Sequence, residues 1–295
     1  MRILFIFIDG FGLGDKNKEI NPLYHANIPN IIKMLEEYIV APTDAALGVP
    51  GLPQSATGQT TILTGKNAAK ALGRHLNGQP TRTLRKLLNE YSIFKVLKEM
   101  GLRVTNANVY RHEYLRRMME PQNPKFRPSA STVACMAAQL PFRTIEDLKA
   151  GKGLYHDIVH KILIESGYDI ELIEPALAAE RLAALSEAHD FTFFEYFMTD
   201  LIGHRQNMKK AEKVLEILDK FLGALDRIIN YDETLLIITS DHGNIEDLSV
   251  KTHTYHKVLT IAQGKNAQAF ASSIHALTDI APGIINLFKP TDAER

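Results

Sequence analysis

Two short apolar runs that end in aspartate constrain the fold more than any other feature of the sequence. RILFIFI (residues 2–8) is followed by Asp9-Gly10, and TLLIITS (residues 234–240) is followed by Asp241. Apolar runs of this length without polar alternation are typical of strands that are covered on both faces. Because parallel α/β sheets bind ligands at the carboxyl ends of their strands, Asp9 and Asp241 are expected to lie at a binding site.

Further strand and helix patterns alternate along the chain. LRVTNANV (102–109) and FTFFEYFM (191–198) are strand candidates. The segments 92–101 and 208–229 have helical periodicity, the first with a serine at its start and a glycine at its end, and 275–288 has a proline where a first helical turn tolerates it. The alternation predicts an α/β fold with a mostly parallel sheet flanked by helices.

Residues 110–185 differ from the rest of the chain in composition and in hydrophobic periodicity. The part 110–131 is basic, contains three prolines and has no clear period, and helical segments follow it. We therefore expect a small inserted cap lobe at 110–185 and a catalytic core formed by 1–109 and 186–295.

Composition excludes some classes of function. The 295 residues contain 34 Lys and Arg and 34 Asp and Glu, so the net charge of zero argues against nucleic-acid and membrane-surface partners. The single cysteine, Cys135, cannot form an internal disulfide, and its simplest interpretation is a small buried hydrophobe. No apolar run approaches the roughly 20 residues of a membrane span, and the first run lacks a small-residue cleavage site. The expected location is the cytoplasm.

Several aspartates and histidines have spacings that suit metal binding. Asp200 and His204 in TDLIGH share one face of a helical turn. In SDHGN, Asp241 and His242 would point to opposite sides of a continuing strand, so they converge only if Gly243 lets the backbone turn. Singly, each of these residues has an ordinary structural explanation, such as a turn former or a surface pair.

Taken together, these residues favour divalent cations. Asp and His ligands suit Zn²⁺ or Mn²⁺. Asp9, Asp200 and Asp241 carry three negative charges, and an ionised serine adds a fourth, which two divalent cations would balance. Buried carboxylates without such compensation would be costly.

The stretch LPQSATGQTTILTG (52–65) supplies that serine. Ser55 is predicted to cap a helix that begins at Ala56, where free amides of Thr57 and Gly58 can face a phosphate. A divalent cation lowers the pKa of a bound hydroxyl, so Ser55 is the candidate nucleophile of a phosphoryl transfer. The threonine hydroxyls of this stretch are expected to be structural.

At these residues the sequence resembles the alkaline phosphatase superfamily, and within it the branch of cofactor-independent phosphoglycerate mutase and phosphopentomutase. IFIDGFGLG, NPLYHANIPNI, GVPGLPQSATGQTTILTG, TDLIGH, TSDHGN, the HT of THTYHKV and LTDIAP match the motifs of the branch in order, over roughly 1–109 and 186–295. The resemblance implies an alkaline phosphatase-like core with two divalent metal ions, Mn²⁺ or Zn²⁺. It implies one ion held by Asp200, His204 and His253 and another held by Asp9, Ser55, Asp241 and His242. As the last ligand of the first ion, His253 is preferred over His256.

The sequence also departs from the branch. Gln59 stands where its mutases usually have histidine, and no arginine array for phosphoglycerate is found. Sulfatases require Pro and Arg at places that Thr57 and Gln59 occupy. We therefore expect a phosphatase or phosphodiesterase that acts on a small phosphorylated metabolite through a phosphoserine. A phosphomutase and a non-catalytic metal-binding relative are the alternatives.

Basic residues near the predicted site are candidates for binding the substrate, with a solvated basic surface as the alternative for each. They are Arg74 in the core and Arg111, His112, Arg116, Arg117 and Arg127 in the expected lobe. The identity of the substrate, the physiological metal and the oligomeric state are not specified by the sequence.

Overall fold

A six-stranded sheet forms the centre of the molecule in the computed structural model, which describes residues 1–120 and 126–290. The strands are β1 (Arg2–Ile8), β2 (Ile39–Thr43), β3 (Val104–Asn106), β4 (Phe191–Tyr196), β5 (Thr234–Thr239) and β6 (Val258–Gly264). Their order is β2-β6-β5-β1-β4-β3. β1 pairs in parallel with β4 and β5, β3 pairs in parallel with β4, and β6 runs antiparallel to its neighbours. The predicted α/β fold with a mostly parallel sheet is confirmed.

Helices cover both faces of the sheet. They are α1 (Pro29–Glu37), α2 (Ser55–Thr64), α3 (Ala68–Leu72), α4 (Arg82–Tyr91), α5 (Ile93–Glu99), α6 (His112–Met119), α7 (Ala130–Ala137), α8 (Ile145–Lys149), α9 (Lys161–Glu165), α10 (Pro175–Ala188), α11 (Met198–Gly203), α12 (Met208–Ile228), α13 (Ala267–Ala271) and α14 (Ile280–Leu287). Short 3₁₀ turns lie at Pro22–Tyr24 and Leu277–Asp279. In the described part of the chain, no helix is long and apolar enough to cross a membrane.

The central strand β1 divides the core into two halves. Ile3, Phe5 and Phe7 pack on the face that also holds residues of α2, α5, α7, α13 and α14. Leu4 and Ile6 point to the other face and pack with residues of α1, α10 and α12. Alternation along a strand with apolar side chains in both directions explains why this segment reads as one continuous apolar run.

Most predicted elements are present, with shifted ends. The helices expected at 92–101 and 208–229 span Ile93–Glu99 and Met208–Ile228, and the Ser92 side chain accepts a hydrogen bond from the Lys95 amide at the start of the first. The strand expected at 102–109 is limited to Val104–Asn106, after which the chain forms isolated bridges to residues of the 110–185 segment.

Helix α2 is buried along its whole length although its sequence is rich in threonine. Three hydroxyls donate to the carbonyl four residues earlier: Thr60 to Ala56, Thr61 to Thr57 and Thr64 to Thr60. The polar groups are therefore satisfied inside the helix, as the interpretation of these threonines as structural residues expects. The helix begins at Ser55 with Gln54 at the N-cap, one residue earlier than predicted, and no capping side-chain bond is made there.

The described residues of the segment 110–185 include short helices with two kinds of packing. Tyr155, Leu148 and Leu163 belong to a small separate cluster, together with Val109 and Ile145. In contrast, α7 and α10 contribute to the two main core clusters. The division into core and lobe remains a prediction, and the helices α7 and α10 tie this segment closely to the sheet.

Candidate metal centre

Residues from five distant parts of the chain meet at the carboxyl end of the sheet. Asp9 follows β1, and Asp241 and His242 follow β5, which is the neighbour of β1. The other members are Ser55 at the start of α2, Asp200 and His204 on and after α11, and His253 in the loop before β6. The placement of Asp9 and Asp241 follows from the parallel pairing of their strands.

The first group surrounds the imidazole of His242. Its Nε2 atom lies 3.0 Å from Ser55 Oγ, 3.2 Å from Asp9 Oδ1 and 3.6 Å from Asp241 Oδ2. All four residues are buried, and Asp241 and His242 are completely so. The four residues that the resemblance assigns to one ion are thus brought together.

The second group surrounds Asp200. Its Oδ1 atom lies 3.4 Å from His204 Nε2 and 3.5 Å from His253 Nε2, and the two Nε2 atoms are 3.2 Å apart. The two groups are neighbours, because the rings of His242 and His253 stack with centroids 3.6 Å apart. Asp200 also lies within 4.8 Å of ligand atoms of Asp9 and His242.

The hydrogen bonds at the far side of each imidazole define its tautomer. His204 Nδ1 lies 2.7 Å from the Lys251 carbonyl, and His253 Nδ1 lies 2.9 Å from the Pro53 carbonyl. His242 Nδ1 makes a longer contact, 3.4 Å, with the Gly243 carbonyl. A carbonyl can only accept, so each Nδ1 carries a proton and each Nε2 is the ring nitrogen that is turned into the site. Convergent Nε2 atoms, oriented by hydrogen bonds from Nδ1, are the arrangement of metal-binding histidines.

The electrostatics of the site favour a cation. Burial raises the pKa of Asp241 well above its usual value, and the nearby charge of Asp9 raises it further. Burial alone would lower the pKa of His242, but the charge of Asp241 and the close contact of the imidazole with the charged carboxylate of Asp9 raise it to about 10. The negative potential that draws a proton onto a buried imidazole would equally attract a metal ion.

Two carboxylate oxygens provide a direct test of whether a metal fits. Asp9 Oδ1 and Asp241 Oδ2 are buried, and neither receives a hydrogen bond from the described residues. Unpaired buried carboxylate oxygens are costly unless a cation compensates them. Together with the Nε2 atoms they form a mixed oxygen and nitrogen donor set, which fits divalent ions such as Zn²⁺ or Mn²⁺.

Two glycines permit the close approach of these segments. A Cβ atom at Gly58 on α2 would lie 2.8 Å from Asp241 Cβ and 2.9 Å from the Asp241 carbonyl oxygen. Gly243 was expected to allow a turn, but it does not have a positive φ. Its side-chain position is instead filled by Glu246 and Thr254, so that glycine is needed for space and not for conformation.

The backbone amides at the start of α2 differ in whether they donate a hydrogen bond within the protein. The Ala56 amide donates to the Leu76 carbonyl and the Gly58 amide donates to the Gln54 carbonyl, so the expectation that Gly58 offers a free amide is wrong. Among the described residues, none accepts a hydrogen bond from the Thr57 amide. Of the three amides of Ala56, Thr57 and Gly58, that of Thr57 therefore remains for an anion.

Glu246 is a functional candidate that the sequence analysis missed. Its buried carboxylate accepts hydrogen bonds from the amides of Gly12 and Asn244 and from the Thr254 hydroxyl. His256 Nδ1 lies 3.1 Å from the same carboxylate, so His256 is engaged outside the group formed by His204 and His253. The sequence feature that could have identified Glu246 was its position in a polar loop, four residues after His242.

A cavity of about 500 Å³ extends from this centre to the segment 110–185. Asp9, Ser55 and Asp200 line it on one side. Of the basic residues expected to bind the substrate, Arg111 lines it.

The other basic candidates lie elsewhere. His112 lies 3.2 Å from Glu146, and Arg116 lies 4.0 Å from Glu113. Residues Arg74, Arg117 and Arg127 are exposed and do not line the cavity.

Gln59 and Glu195 complete the floor of the cavity. Gln59 Nε2 donates to Asp9 Oδ2 at 3.0 Å, which fixes the second oxygen of that carboxylate. Glu195 on β4 accepts a hydrogen bond from the Ser131 hydroxyl. Burial raises the pKa of Glu195 to about 7, against the effect of that hydrogen bond. The signal for Glu195 was a single acidic residue within the apolar run FTFFEYFM.

The fold and the site define a class: an α/β protein of alkaline phosphatase-like architecture with groups able to bind metal ions. Residues 1–291 match the family model described as Metalloenzyme superfamily, and the chain therefore belongs to the Metalloenzyme superfamily.

Curated relatives share part of the chain. A 2,3-bisphosphoglycerate-independent phosphoglycerate mutase of Gluconobacter oxydans is 29% identical over 153 residues, which are 48% of this chain and 30% of the relative. The enzyme of the same name from Francisella tularensis subsp. tularensis is 31% identical over 131 residues, which are 41% of this chain and 25% of the relative. The chain thus spans less than a third of the length of these relatives.

Solved structures share the fold over nearly the whole chain. The PH0037 protein from Pyrococcus horikoshii has a TM-score of 0.61 at 17% identity, with 98% of both chains covered. The alkaline phosphatase from the Antarctic bacterium TAB5 has a TM-score of 0.54 at 13% identity, with 97% of both chains covered. A phosphoglycerate mutase of Leishmania mexicana has a TM-score of 0.51 at 12% identity, covering 100% of this chain and 96% of the other.

Proposed function

We propose that the protein is a phosphoryl-transfer enzyme that uses two divalent metal ions and forms a phosphoserine at Ser55. The observation that carries this proposal is the convergence of three histidine Nε2 atoms and three carboxylates beside a buried serine hydroxyl. Asp200, His204 and His253 would hold one ion, and Asp9, Asp241, His242 and Ser55 would hold the other. Bound divalent cations supply Lewis-acid polarisation of phosphoryl oxygens and lower the pKa of a hydroxyl.

The protein's own residues account for the remaining requirements of the reaction. The Ser55 hydroxyl gives up its proton and its Oγ attacks phosphorus; the new bond forms as the bond to the leaving alkoxide breaks, and the alkoxide takes up a proton to leave as the alcohol. The unpaired Thr57 amide at the N-terminus of α2 would donate to a phosphoryl oxygen. Water then releases phosphate from the phosphoserine, which regenerates the serine.

We favour hydrolysis, by a phosphatase or phosphodiesterase, of a small phosphorylated metabolite. The cavity of about 500 Å³ has the size of a small-molecule site. It contains Arg111 but none of the other expected basic residues, which argues against a substrate as anionic as phosphoglycerate. A phosphomutase is the second candidate, and it is favoured by the names of the curated relatives. The two reactions differ in whether water or the rotated product captures the phosphoryl group.

The test incubates metal-loaded protein with phosphate esters and follows inorganic phosphate against isomerised product. We expect turnover to fall at least about a thousandfold in Ser55→Ala, because the nucleophile is removed, while metal is still bound by the remaining ligands. Ser249→Ala, in an exposed serine, is the matched control. Metal binding by the wild type without turnover of any ester would instead indicate the non-catalytic relative.

A further inference from the structure

The cavity beside Ser55 has a wall made by residues of 108–114, 129–132 and 155–156 and by Phe197, and several polar groups of this wall are already paired. The Asn108 side chain donates to the Glu195 carbonyl and accepts from the Glu195 amide, each at 2.8 Å. The hydroxyls of Tyr110 and Tyr114 both contact Thr132 Oγ1, at 3.3 and 3.2 Å. These groups shape the wall, but they have little hydrogen-bonding capacity left for a ligand.

His156 differs from these residues, because one of its ring nitrogens is buried and unpaired. Its Nδ1 atom is buried without a partner, and no hydrogen bond among the described residues involves its Nε2 atom. The ring is held between two aromatic neighbours, with centroids 3.9 Å from Phe197 at an interplanar angle of 23° and 4.2 Å from Tyr155 at 43°. An imidazole fixed in this way, with a buried unpaired Nδ1 atom and an Nε2 atom that makes no hydrogen bond within the described residues, is a rigid group prepared for a ligand.

The charge state of His156 limits which ligand group suits it. Burial lowers the pKa of His156 to about 3, and the positive charge of Arg111 acts in the same direction. The ring is therefore neutral at physiological pH and offers one donor and one acceptor. A hydroxyl group also combines a donor with an acceptor, so it satisfies a neutral imidazole from either nitrogen, whereas a carboxylate can only accept.

The other residues that line the cavity also favour an uncharged ligand group. Arg111 is the one lysine or arginine among the described residues that line it, and its side chain is exposed. The buried carboxyl of Glu195 also faces the cavity and would repel an anionic leaving group when ionised. Asn77 and Gln79 add neutral amide groups to the lining.

We propose that His156 is a specificity-determining residue that binds a hydroxyl of the leaving group, and that the cavity selects phosphate esters of uncharged, polyhydroxylated alcohols. This inference rests on the proposed phosphoryl transfer at Ser55 and names the class of its substrate. The phosphate lies at the metal centre, and the alcohol portion occupies the cavity between Ser55 and His156.

Three esters with the same three-carbon skeleton test the proposal. Glycerol phosphate has a neutral diol as leaving group, phosphoglycerate carries a carboxylate in place of one hydroxymethyl group, and propyl phosphate has no hydroxyl. We expect metal-loaded wild-type protein to have a kcat/KM for glycerol phosphate at least about tenfold above that for either analogue. His156→Phe keeps the stacked ring and removes both nitrogens. It should lower kcat/KM for glycerol phosphate by about 10- to 100-fold and leave that for propyl phosphate within about twofold.

Binding is measured in parallel on metal-loaded Ser55→Ala protein, with and without His156→Phe. The same order of affinities, and its loss on substitution of His156, supports the proposal whether or not the protein turns the esters over. Absence of turnover of all three esters together with this order of affinities overturns the proposed function alone. Preference for phosphoglycerate, or an equal effect of His156→Phe on glycerol phosphate and propyl phosphate, overturns the assignment of His156. His156→Gln and the melting temperatures of the variants separate loss of the hydrogen bond from loss of the fold.

Discussion

Glu195 allows a quantitative prediction, because its carboxyl group is buried in the sheet beside the candidate metal centre. Burial raises its pKa from 4.5 to about 7, and the charge of Asp9 adds to this rise, whereas the Ser131 hydrogen bond opposes it. The folded state therefore holds a proton on Glu195 between these two pH values, where the unfolded state has lost it. The stabilisation is fully present below pH 4.5 and disappears as the pH rises through about 7. The shift corresponds to about 3 kcal/mol of unfolding free energy.

Glu195→Gln replaces the neutral acid with a neutral amide of the same shape, so it should remove this pH dependence. We expect the variant and the wild type to have similar stability near pH 4, and the variant to be more stable by about 3 kcal/mol near pH 8. The measurement is urea unfolding of chelator-treated protein from pH 4 to pH 8, because bound cations would change the field at Glu195. Glu187→Gln at the exposed end of α10 is the control. A difference between wild type and variant that stays constant with pH, or has the opposite sign, would refute the reasoning.

The metal centre gives two further predictions. His253→Ala should weaken metal binding more than about 100-fold because His253 Nε2 lies in the ligand group. His256→Ala should weaken metal binding about tenfold or less, since His256 contacts Glu246 instead. The metal content of both variants is measured by elemental analysis after dialysis. Equal losses of metal from His253→Ala and His256→Ala would contradict the geometry. Glu246→Gln should reduce metal affinity by about 10- to 100-fold by loosening the loop after β5, with Asp247→Asn as the control. Unchanged affinity, measured by competition with a chelating dye, would show that the loop does not depend on this carboxylate.

Sequence patterns predicted the sheet and the approximate site because both depend on short-range features. Strands β1 and β5 are apolar in both directions, and an aspartate lies just beyond each, so their pairing alone brings Asp9 and Asp241 together. The helical face shared by Asp200 and His204 is equally local. For these residues, knowledge of the fold class was sufficient to expect a common location.

Features that depend on packing between distant segments were not predictable in this way. Glu246 is buried because Gly12 and Gly243 leave space for its carboxylate, and no local pattern specifies that space. His156 lies in a segment with no strong periodicity, and its neighbour Phe197 is 41 positions further along the chain. Arg111 could be named as a candidate, but the sequence could not separate it from the neighbouring arginines that face solvent.

Phe197 connects the two parts of the candidate active site, which are the cavity wall at His156 and the metal-ligand candidates at the start of α11. Phe197 directly precedes α11, which begins at Met198 and carries Asp200 in its first turn. The stacking of His156 on Phe197 therefore holds the wall of the cavity against the residue that precedes α11, the helix that carries the candidate ligand Asp200. Thr199 adds a second restraint, because its hydroxyl donates to the Asp9 carbonyl, near the end of β1. The same few contacts fix the cavity wall and the first turn of α11, so packing sets the distance between His156 and the candidate nucleophile Ser55.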